Sequence, residues 1–251
     1  MSKTRFTFTN NEGHELCALL EEPVGEIKAY SLFAHCFTCG KDLRSASRIT
    51  RQLLAQGIAV LRFDFTGLGN SEGDFSNTNF SSNLSDLRSA IDMLRLKYQA
   101  PALLIGHSLG GTAILAIAGE VPEARVVTTI GSPGELSRLT RLFEDDIKHI
   151  ETNGSFPVSL AGRQFTIKKQ MLDDLKRHNV ADKIFMMQKP LLIFHAPQDD
   201  TVSIDQAEKI YAAAKHPKSF ISLDDADHLL SKPADADYVG SCIASWAFRY
   251  L

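Results

Sequence analysis

Residues 101–121, PALLIGHSLGGTAILAIAGEV, decide the fold and give the first sign of chemistry. A short apolar run typical of a buried strand stops at Gly106-His107-Ser108-Leu109-Gly110, and an apolar run with helical period follows from Thr112 to Ala118. A strand, Gly-x-Ser-x-Gly and a helix in this order form the pattern of a nucleophile elbow, a strained turn that presents its serine at the start of a helix. Glycines are needed because such a turn leaves no room for a Cβ atom. The stretch therefore predicts Ser108 as a nucleophile and requires an acid, then a histidine, further along the chain.

Two polar segments supply these partners, and each directly follows a predicted strand. Asp199 and Asp200 come after the strand 190–195, and His228 comes after the strand 218–223. Because the carboxyl ends of parallel strands meet at one edge of a sheet, the two loops can converge on the elbow. His228 would accept the serine proton as general base, and a carboxylate would hold its imidazole in the required tautomer. Adjacent side chains on an extended segment point to opposite sides, so only one of the two aspartates can reach His228.

The oxyanion of an acyl-transfer reaction needs backbone donors that are already in place. One is expected to be the N–H of Leu109, directly after the nucleophile, and the other the N–H of Phe37 in the loop after the third strand. These two amides are the predicted oxyanion hole.

The rest of the chain alternates between predicted strands and helices, which favours one α/β domain over residues 1–251. We expect a mostly parallel eight-stranded sheet with helices on both faces. Charged helical residues over 136–150, a hairpin and a helix over 169–178 interrupt the alternation, so a small cap of about residues 134–188 is predicted after the sixth strand. Farther on, Ser203 and Gln206 have the spacing of a capping box at the start of a helix. The predicted strands are 4–9, 15–21, 27–34, 58–63, 102–105, 124–130, 190–195 and 218–223, and the other predicted helices are 41–56, 80–97, 203–214 and 233–249.

Composition and charge narrow the class of protein. The chain has 251 residues, of which 44% are hydrophobic, and a net charge of −3 without basic clusters, so it carries no electrostatic footprint for nucleic acid or an anionic membrane. The polar N-terminus lacks the apolar core of a secretory signal, and four scattered cysteines do not form a disulfide framework. We therefore expect a cytoplasmic protein.

Two other patterns in the sequence allow different interpretations. Cys36-Phe37-Thr38-Cys39 is a Cys-x-x-Cys at the start of a helix, where a thiol pKa is lowered, so a thiol-redox role is an alternative to small apolar thiols that line a loop. A metal site of His35, Cys36 and Cys39 would lack a fourth ligand, so no metal is predicted. The glycines of the segment 64–79 do not have the spacing of a dinucleotide-binding loop, so no cofactor is predicted.

The motifs together resemble those of the α/β-hydrolase family, and the resemblance covers nearly the whole chain. It rests on His35-Cys36-Phe37 before the first helix, Gly106 to Gly111 at the elbow, His195-Ala196, of which Ala196 lies three residues before Asp199, and Asp227-His228. The resemblance implies that Asp199, rather than Asp200, is the acid, because the family pattern is His-Gly-x-x-Asp.

Three longer runs, HCFTCGKDLRSASRI from residue 35, LRFDFTGLGNSEGDFSNTNFSSN from residue 61 and HAPQDDTVSIDQA from residue 195, resemble a narrower group. In these bacterial proteins an α/β-hydrolase is often fused to an OsmC-like peroxide reductase. The resemblance implies ester hydrolysis and makes an OsmC-like protein a candidate partner. A second copy of this chain is another candidate partner. We expect no peroxidase activity from these residues.

The sequence thus predicts a serine carboxylesterase that acts on small or medium acyl esters through an acyl-enzyme on Ser108. A thioesterase or acyltransferase would use the same mechanism. A non-catalytic module, or a thiol-redox module that uses Cys36 and Cys39, is the alternative from another class. An epoxide hydrolase or dehalogenase would need an acid at position 108.

Overall fold

The central strands of the main sheet are mainly apolar segments buried on both faces. The computed structural model describes residues 1–35, 40–160 and 162–251, and all residues of five central strands are buried. Such runs are typical of a parallel sheet with helices on both sides. The strands are β1 (Ser2–Thr9), β2 (Glu15–Glu22), β3 (Ala29–Ala34), β4 (Ile58–Phe63), β5 (Leu103–His107), β6 (Val126–Ile130), β7 (Ser155–Leu160), β8 (Arg163–Lys168), β9 (Leu191–His195) and β10 (Lys218–Ser222).

Eight of these strands form the main sheet in the order β1-β2-β4-β3-β5-β6-β9-β10. β1 pairs antiparallel with β2 and β2 pairs antiparallel with β4, whereas the other pairs are parallel. The predicted mostly parallel, eight-stranded sheet is therefore confirmed. Because β5, β6, β9 and β10 are parallel neighbours, the loops after them emerge at the same edge.

Helices cover both faces of the sheet. α1 and α8 pack against each other on one face, and α2, α3, α6 and α7 form a contiguous layer on the other. Within the described part of the chain, no helix combines the length and the apolar character needed to cross a bilayer. The helices are α1 (Arg44–Ala55), α2 (Phe80–Lys97), α3 (Leu109–Ile117), α4 (Ile147–Asn153), α5 (Lys169–Leu175), α6 (Val180–Met187), α7 (Asp205–Ala213) and α8 (Pro233–Ala247).

The segment between β6 and β9 contains the insertion that the broken alternation predicted. The β7–β8 hairpin lies beside the 3-10 turn Phe75–Asn77, and the rings of Phe75 and Phe165 are 4.7 Å apart. The helix predicted over 136–150 is instead a 3-10 segment, Leu136–Asp146, followed by α4, because Phe143 leaves helical geometry at φ −143°. α6, which the sequence did not predict, packs on α3 and α7 and so belongs to the helical layer.

The capping box predicted from Ser203 and Gln206 is wrong. α7 begins at Asp205 after Ile204, which makes no side-chain cap. The hydroxyl of Ser203 binds Asp205, and the buried Gln206 amide oxygen accepts the N–H groups of Gly134 and Glu135 at 3.1 Å each. Burial explains this choice, because a buried amide must find partners and these two donors lie within its reach. Gln206 therefore connects α7 to the loop after β6.

Candidate active site

The turn at Ser108 has the strained geometry expected of a nucleophile elbow. β5 ends at His107, α3 begins at Leu109, and Ser108 between them has φ 54° and ψ −129°. A positive φ is unfavourable for a residue with a Cβ atom and persists only where the surroundings enforce it. Here the N–H of Ser108 donates to the carbonyl of Ile130 at 2.8 Å, and its carbonyl accepts from Gly111 at 2.9 Å. The turn is therefore fixed from both sides.

Glycines around Ser108 allow backbone segments to approach closely. A Cβ atom on Gly106 would lie 2.3 Å from the Cα of Gly111, and one on Gly110 would lie 2.3 Å from the carbonyl oxygen of His35. Real Cβ contacts are not that short, so larger side chains would displace the backbone. The structure thus confirms the requirement for glycine that the motif predicted at both positions.

Three side chains from distant loops meet at this turn. His228 Nε2 lies 3.1 Å from Ser108 Oγ, and His228 Nδ1 lies 2.7 Å from Asp199 Oδ2. All three residues are buried, with exposed fractions of 8% or 9%. Because an ionised carboxylate can only accept, Nδ1 donates to Asp199, and neutral His228 presents the lone pair of Nε2 to the serine hydroxyl. The structure therefore brings together the three residues that the sequence selected.

Asp199, and not Asp200, is the carboxylate in contact with the histidine. Its other oxygen, Oδ1, accepts the N–H groups of Thr201 at 2.9 Å and Val202 at 2.8 Å. Burial alone would raise the pKa of Asp199, but the hydrogen bond and charge of His228 and these two N–H groups outweigh it and lower the pKa. The carboxylate is therefore ionised at neutral pH. Asp200 is exposed and accepts only from the Thr201 hydroxyl, at 3.1 Å, among the contacts described.

Of the two predicted oxyanion donors, the structure describes one. Leu109 is the first residue of α3, so its N–H is among the first-turn amides that have no acceptor within the helix. The other predicted donor, Phe37, lies outside the described residues, as do Cys36 and Cys39 of the Cys-x-x-Cys pattern. Within the described ranges, no group of three or more His, Cys, Asp or Glu side chains could hold a metal ion.

A buried ion pair between Asp64 and Lys41 fixes the chain directly after residues 36–39. Asp64 accepts the backbone N–H of Lys41 at 2.6 Å and its ammonium at 2.7 Å. Burial alone would lower the pKa of Lys41, but the hydrogen bond and charge of Asp64 raise it. In the glycine-rich loop, Gly69 has φ +56°, and a Cβ there would lie 2.3 Å from the Asp64 carboxyl carbon. The glycine thus makes room for the buried carboxylate.

Sequence reasoning missed two buried histidines beside the three residues. His107 Nε2 lies 2.7 Å from the carbonyl oxygen of His228, and His195 Nε2 lies 2.7 Å from the carbonyl oxygen of Val202. Burial lowers the pKa of both, that of His107 to about 3. Each ring therefore stays neutral and fastens one of the two loops that approach Ser108. A signal was available, since each histidine is the last residue of a buried strand.

A narrow cavity lies beside the start of α3. Its volume is about 10 Å³, which is room for roughly one water molecule, and it is lined mainly by apolar groups. Its lining residues are His35, Phe65, Leu68, Phe75, Asn83, Leu109, Gly110 and Ala113.

The sequence pattern of the alpha/beta hydrolase family matches residues 32–239, which is most of the chain. The chain belongs to the alpha/beta hydrolase family. This assignment agrees with the order of strands, the elbow and the positions of the acid and the histidine. The resemblance read from the motifs is therefore confirmed at the level of the family.

Solved and curated relatives extend this finding. The chain is 48% identical to the esterase domain of a Rhodothermus marinus protein over 100% of its own length and 99% of the other, with a TM-score of 0.81. It is 28% identical over 180 residues to the uncharacterized protein YfhR of Salmonella typhi, and 25% identical over 190 residues to the bovine mitochondrial palmitoyl-protein thioesterase ABHD10. These matches take in 69% and 71% of this chain but only 56% and 60% of the length of the two relatives. The fusion to an OsmC-like reductase stays a prediction.

Proposed function

We propose that this protein is a serine carboxylesterase that hydrolyses esters of small or medium acyl groups through an acyl-enzyme on Ser108. The observation that carries the proposal is the continuous series of hydrogen bonds from Ser108 through His228 to Asp199 at a strained turn. A histidine within reach of a serine hydroxyl, itself oriented by a buried carboxylate, is the arrangement that activates a serine nucleophile.

The proposed first half-reaction forms the acyl-enzyme. As Ser108 Oγ bonds to the ester carbonyl carbon, His228 Nε2 takes the hydroxyl proton, and the carbonyl oxygen becomes an oxyanion beside the N–H of Leu109. Asp199 stabilises the imidazolium that results. The tetrahedral intermediate then collapses, the bond to the alcohol oxygen breaks, and the Nε2 proton passes to the departing alkoxide.

The second half-reaction releases the acid. Water takes the place of the alcohol and loses a proton to His228 Nε2 as it bonds to the acyl carbon. Collapse of this second intermediate breaks the bond to Ser108 Oγ, which regains its proton from the imidazolium. The sum is one ester and one water converted to one carboxylic acid and one alcohol, with no cofactor required.

The cavity beside Leu109 marks an apolar surface next to the nucleophile. Gly110 and Ala113 of α3 line it on one side, and the ring of Phe75, in contact with Phe165, lines it on the side of the hairpin. This surface supports an apolar acyl group near Ser108. Because the cavity has room for roughly one water molecule, it favours a small acyl group over a long one.

Thioester hydrolysis is a second candidate, favoured by the likeness to the palmitoyl-protein thioesterases. The same residues can carry it, because a thiolate leaves an acyl carbon at least as readily as an alkoxide does. A palmitoyl chain is much longer than the described cavity, which favours short acyl thioesters over long ones here.

The test compares p-nitrophenyl acetate and butyrate with the matching acyl thioesters, using wild type, Ser108→Ala and the exposed-serine control Ser203→Ala. We expect ester turnover by wild type and by the control, and turnover reduced about 10⁴-fold or more in Ser108→Ala. Equal ester turnover by Ser108→Ala and wild type would refute the mechanism. Higher kcat/KM for thioesters, lost in the same variant, would favour the second candidate.

The predictions outside this site are proposals of the same kind. A cytoplasmic location, a homodimer and an OsmC-like partner rest on composition and resemblance. A non-catalytic module would show no turnover of any acyl substrate in the same assay. A thiol-redox role would depend on Cys36 and Cys39, and replacement of both by serine would leave ester turnover within about twofold if they only line a loop.

A further inference from the structure

His107 connects the strand that carries the nucleophile to the loop that carries the base. Its Nε2 lies 2.7 Å from the backbone carbonyl oxygen of His228, and the two rings are 5.1 Å apart between centroids and tilted by 39°. A carbonyl oxygen only accepts hydrogen bonds, so Nε2 of His107 must carry a hydrogen. The contact is therefore a hydrogen bond from the residue before Ser108 to the main chain of His228.

The other nitrogen of His107 shows which charge state this arrangement requires. His107 is 3% exposed, and Nδ1 is buried without a hydrogen-bond partner among the described residues. An imidazolium would need a second acceptor at Nδ1, so the ring fits this site only in the neutral form with its hydrogen on Nε2. Burial and the neighbouring His228 both lower the pKa, to about 3. His107 thus donates one hydrogen bond and adds no charge.

The loop that His107 holds has few other fixed points. Asp225 and Leu230, on either side of His228, have φ values of 60° and 52°, which are uncommon for residues with side chains. Within the loop, Ala226 donates to Leu223 and Leu230 donates to Asp227, and at its start the N–H of Leu223 donates to the carbonyl of His195 at 2.9 Å. None of these bonds involves the backbone of His228 itself, whereas the bond from His107 joins its carbonyl to the end of β5.

We propose that His107 is a positioning residue, whose Nε2–H sets the place of the His228 main chain and so keeps the imidazole in reach of both Ser108 and Asp199. This inference rests on the proposed serine hydrolase function. The elbow then supplies more than the nucleophile, because the residue before the serine fixes the base as well. A neutral ring also lets His228 become an imidazolium during the reaction without a like charge beside it.

Several titratable groups surround His228. Asp199 approaches from the loop after β9, and His195 lies at the end of that strand with Nε2 3.6 Å from Asp199 Oδ2. His35 follows β3 and lies close enough to His107 for an electrostatic interaction. On the loop of His228, Asp225 and Asp227 are exposed. Among these groups, the Asp199 carboxylate is the one in direct contact with the His228 ring.

Three substitutions separate positioning from packing. In His107→Gln the side-chain nitrogen is as many bonds from Cβ as Nε2 of histidine, so it can still donate to the His228 carbonyl. In His107→Asn the nitrogen is one bond closer and falls short. His107→Phe keeps an aromatic ring and removes the donor. The glutamine and asparagine variants both carry neutral amides, so their comparison isolates the effect of side-chain length.

We measure kcat and KM for p-nitrophenyl butyrate, together with the downfield proton resonance of the His228–Asp199 hydrogen bond in the protein without substrate. His107→Asn and His107→Phe are expected to lower kcat about 10- to 100-fold with KM changed less than about twofold, and His107→Gln to stay within about threefold of wild type. In the two impaired variants the downfield resonance broadens or disappears.

Equal kinetics for the asparagine and glutamine variants would overturn the proposal. It is also overturned if kcat falls while the downfield resonance stays as in wild type, since the histidine would then act only through packing. If wild type hydrolyses no ester, the proposed function fails, and the resonance in the three variants still decides whether His107 positions His228.

Discussion

Asp199→Asn is the substitution whose effect the structure defines most sharply. Asp199 Oδ1 accepts two backbone N–H groups, from Thr201 and Val202, while Oδ2 accepts from His228 Nδ1 at 2.7 Å. The new amide will keep its oxygen on the two backbone donors, so its NH₂ group faces His228. Because NH₂ can only donate, Nδ1 must become an acceptor, and the imidazole hydrogen moves to Nε2. Nε2 then points a hydrogen at Ser108 and can no longer accept the serine proton.

The size of the effect follows from this tautomer. Loss of the correct tautomer with retained geometry costs about 10⁴-fold in kcat in serine hydrolases, or about 5 kcal/mol of transition-state stabilisation. Asp200→Asn is the matched control, because that carboxylate is exposed and accepts from a neighbouring hydroxyl. We expect its kcat/KM to stay within about twofold of wild type.

The assay is steady-state hydrolysis of p-nitrophenyl acetate at pH 7–8, with circular dichroism to establish that both variants are folded. A folded Asp199→Asn protein with kcat within tenfold of wild type would refute the assigned role of the carboxylate. So would a larger loss in Asp200→Asn than in Asp199→Asn.

Further predictions concern packing and pH. Gly110→Ala would place its Cβ 2.3 Å from a backbone oxygen, so we expect at least about 2 kcal/mol lower stability in urea unfolding. Gly119→Ala is the control, because its Cβ would lie 3.6 Å from its nearest neighbour, and it should change stability less than about 1 kcal/mol. Equal effects of the two substitutions would contradict the close approach at Gly110. The pKa of His107 is near 3 in the folded protein, against a reference value of 6.5. As the pH falls from 7 to 5, the unfolded chain therefore takes up a proton at His107 that the folded protein does not. This should lower the free energy of unfolding by about 2 kcal/mol over that range. The drop should be that much smaller in His107→Gln, and the same drop in both proteins would mean that His107 does not remain neutral.

Much of the fold could be read from the sequence because the main signals are local. The buried strands are continuous apolar runs, and the predicted bounds of β4 and α2 match those observed. The insertion was harder to predict, because its elements are short and stabilised by contacts with other parts of the fold. The 3-10 segment before α4 has a helical pattern of side chains, and nothing in that pattern shows that the backbone leaves helical geometry at Phe143.

The candidate site was readable for a different reason. Ser108, Asp199 and His228 lie in loops directly after parallel strands, so their order along the chain and the topology together predict that they meet. The choice between Asp199 and Asp200 needed the resemblance, since two adjacent carboxylates are equivalent in pattern and only the turn through Thr201 and Val202 directs one of them toward His228. For His107 the local signal, its place at the end of a buried strand, does not identify its partner, because that partner is a main-chain carbonyl 121 residues away.

Covalent labelling tests the central claim most directly, that Ser108 is a nucleophile activated by His228. The protein is treated with a fluorophosphonate probe, and the adduct is located by peptide mass mapping in wild type, Ser108→Ala and His228→Gln. We predict one adduct per chain on the peptide that contains Ser108, none in Ser108→Ala, and labelling slowed by at least about 100-fold in His228→Gln. An adduct on another residue, or labelling of Ser108→Ala at the wild-type rate, would contradict the account.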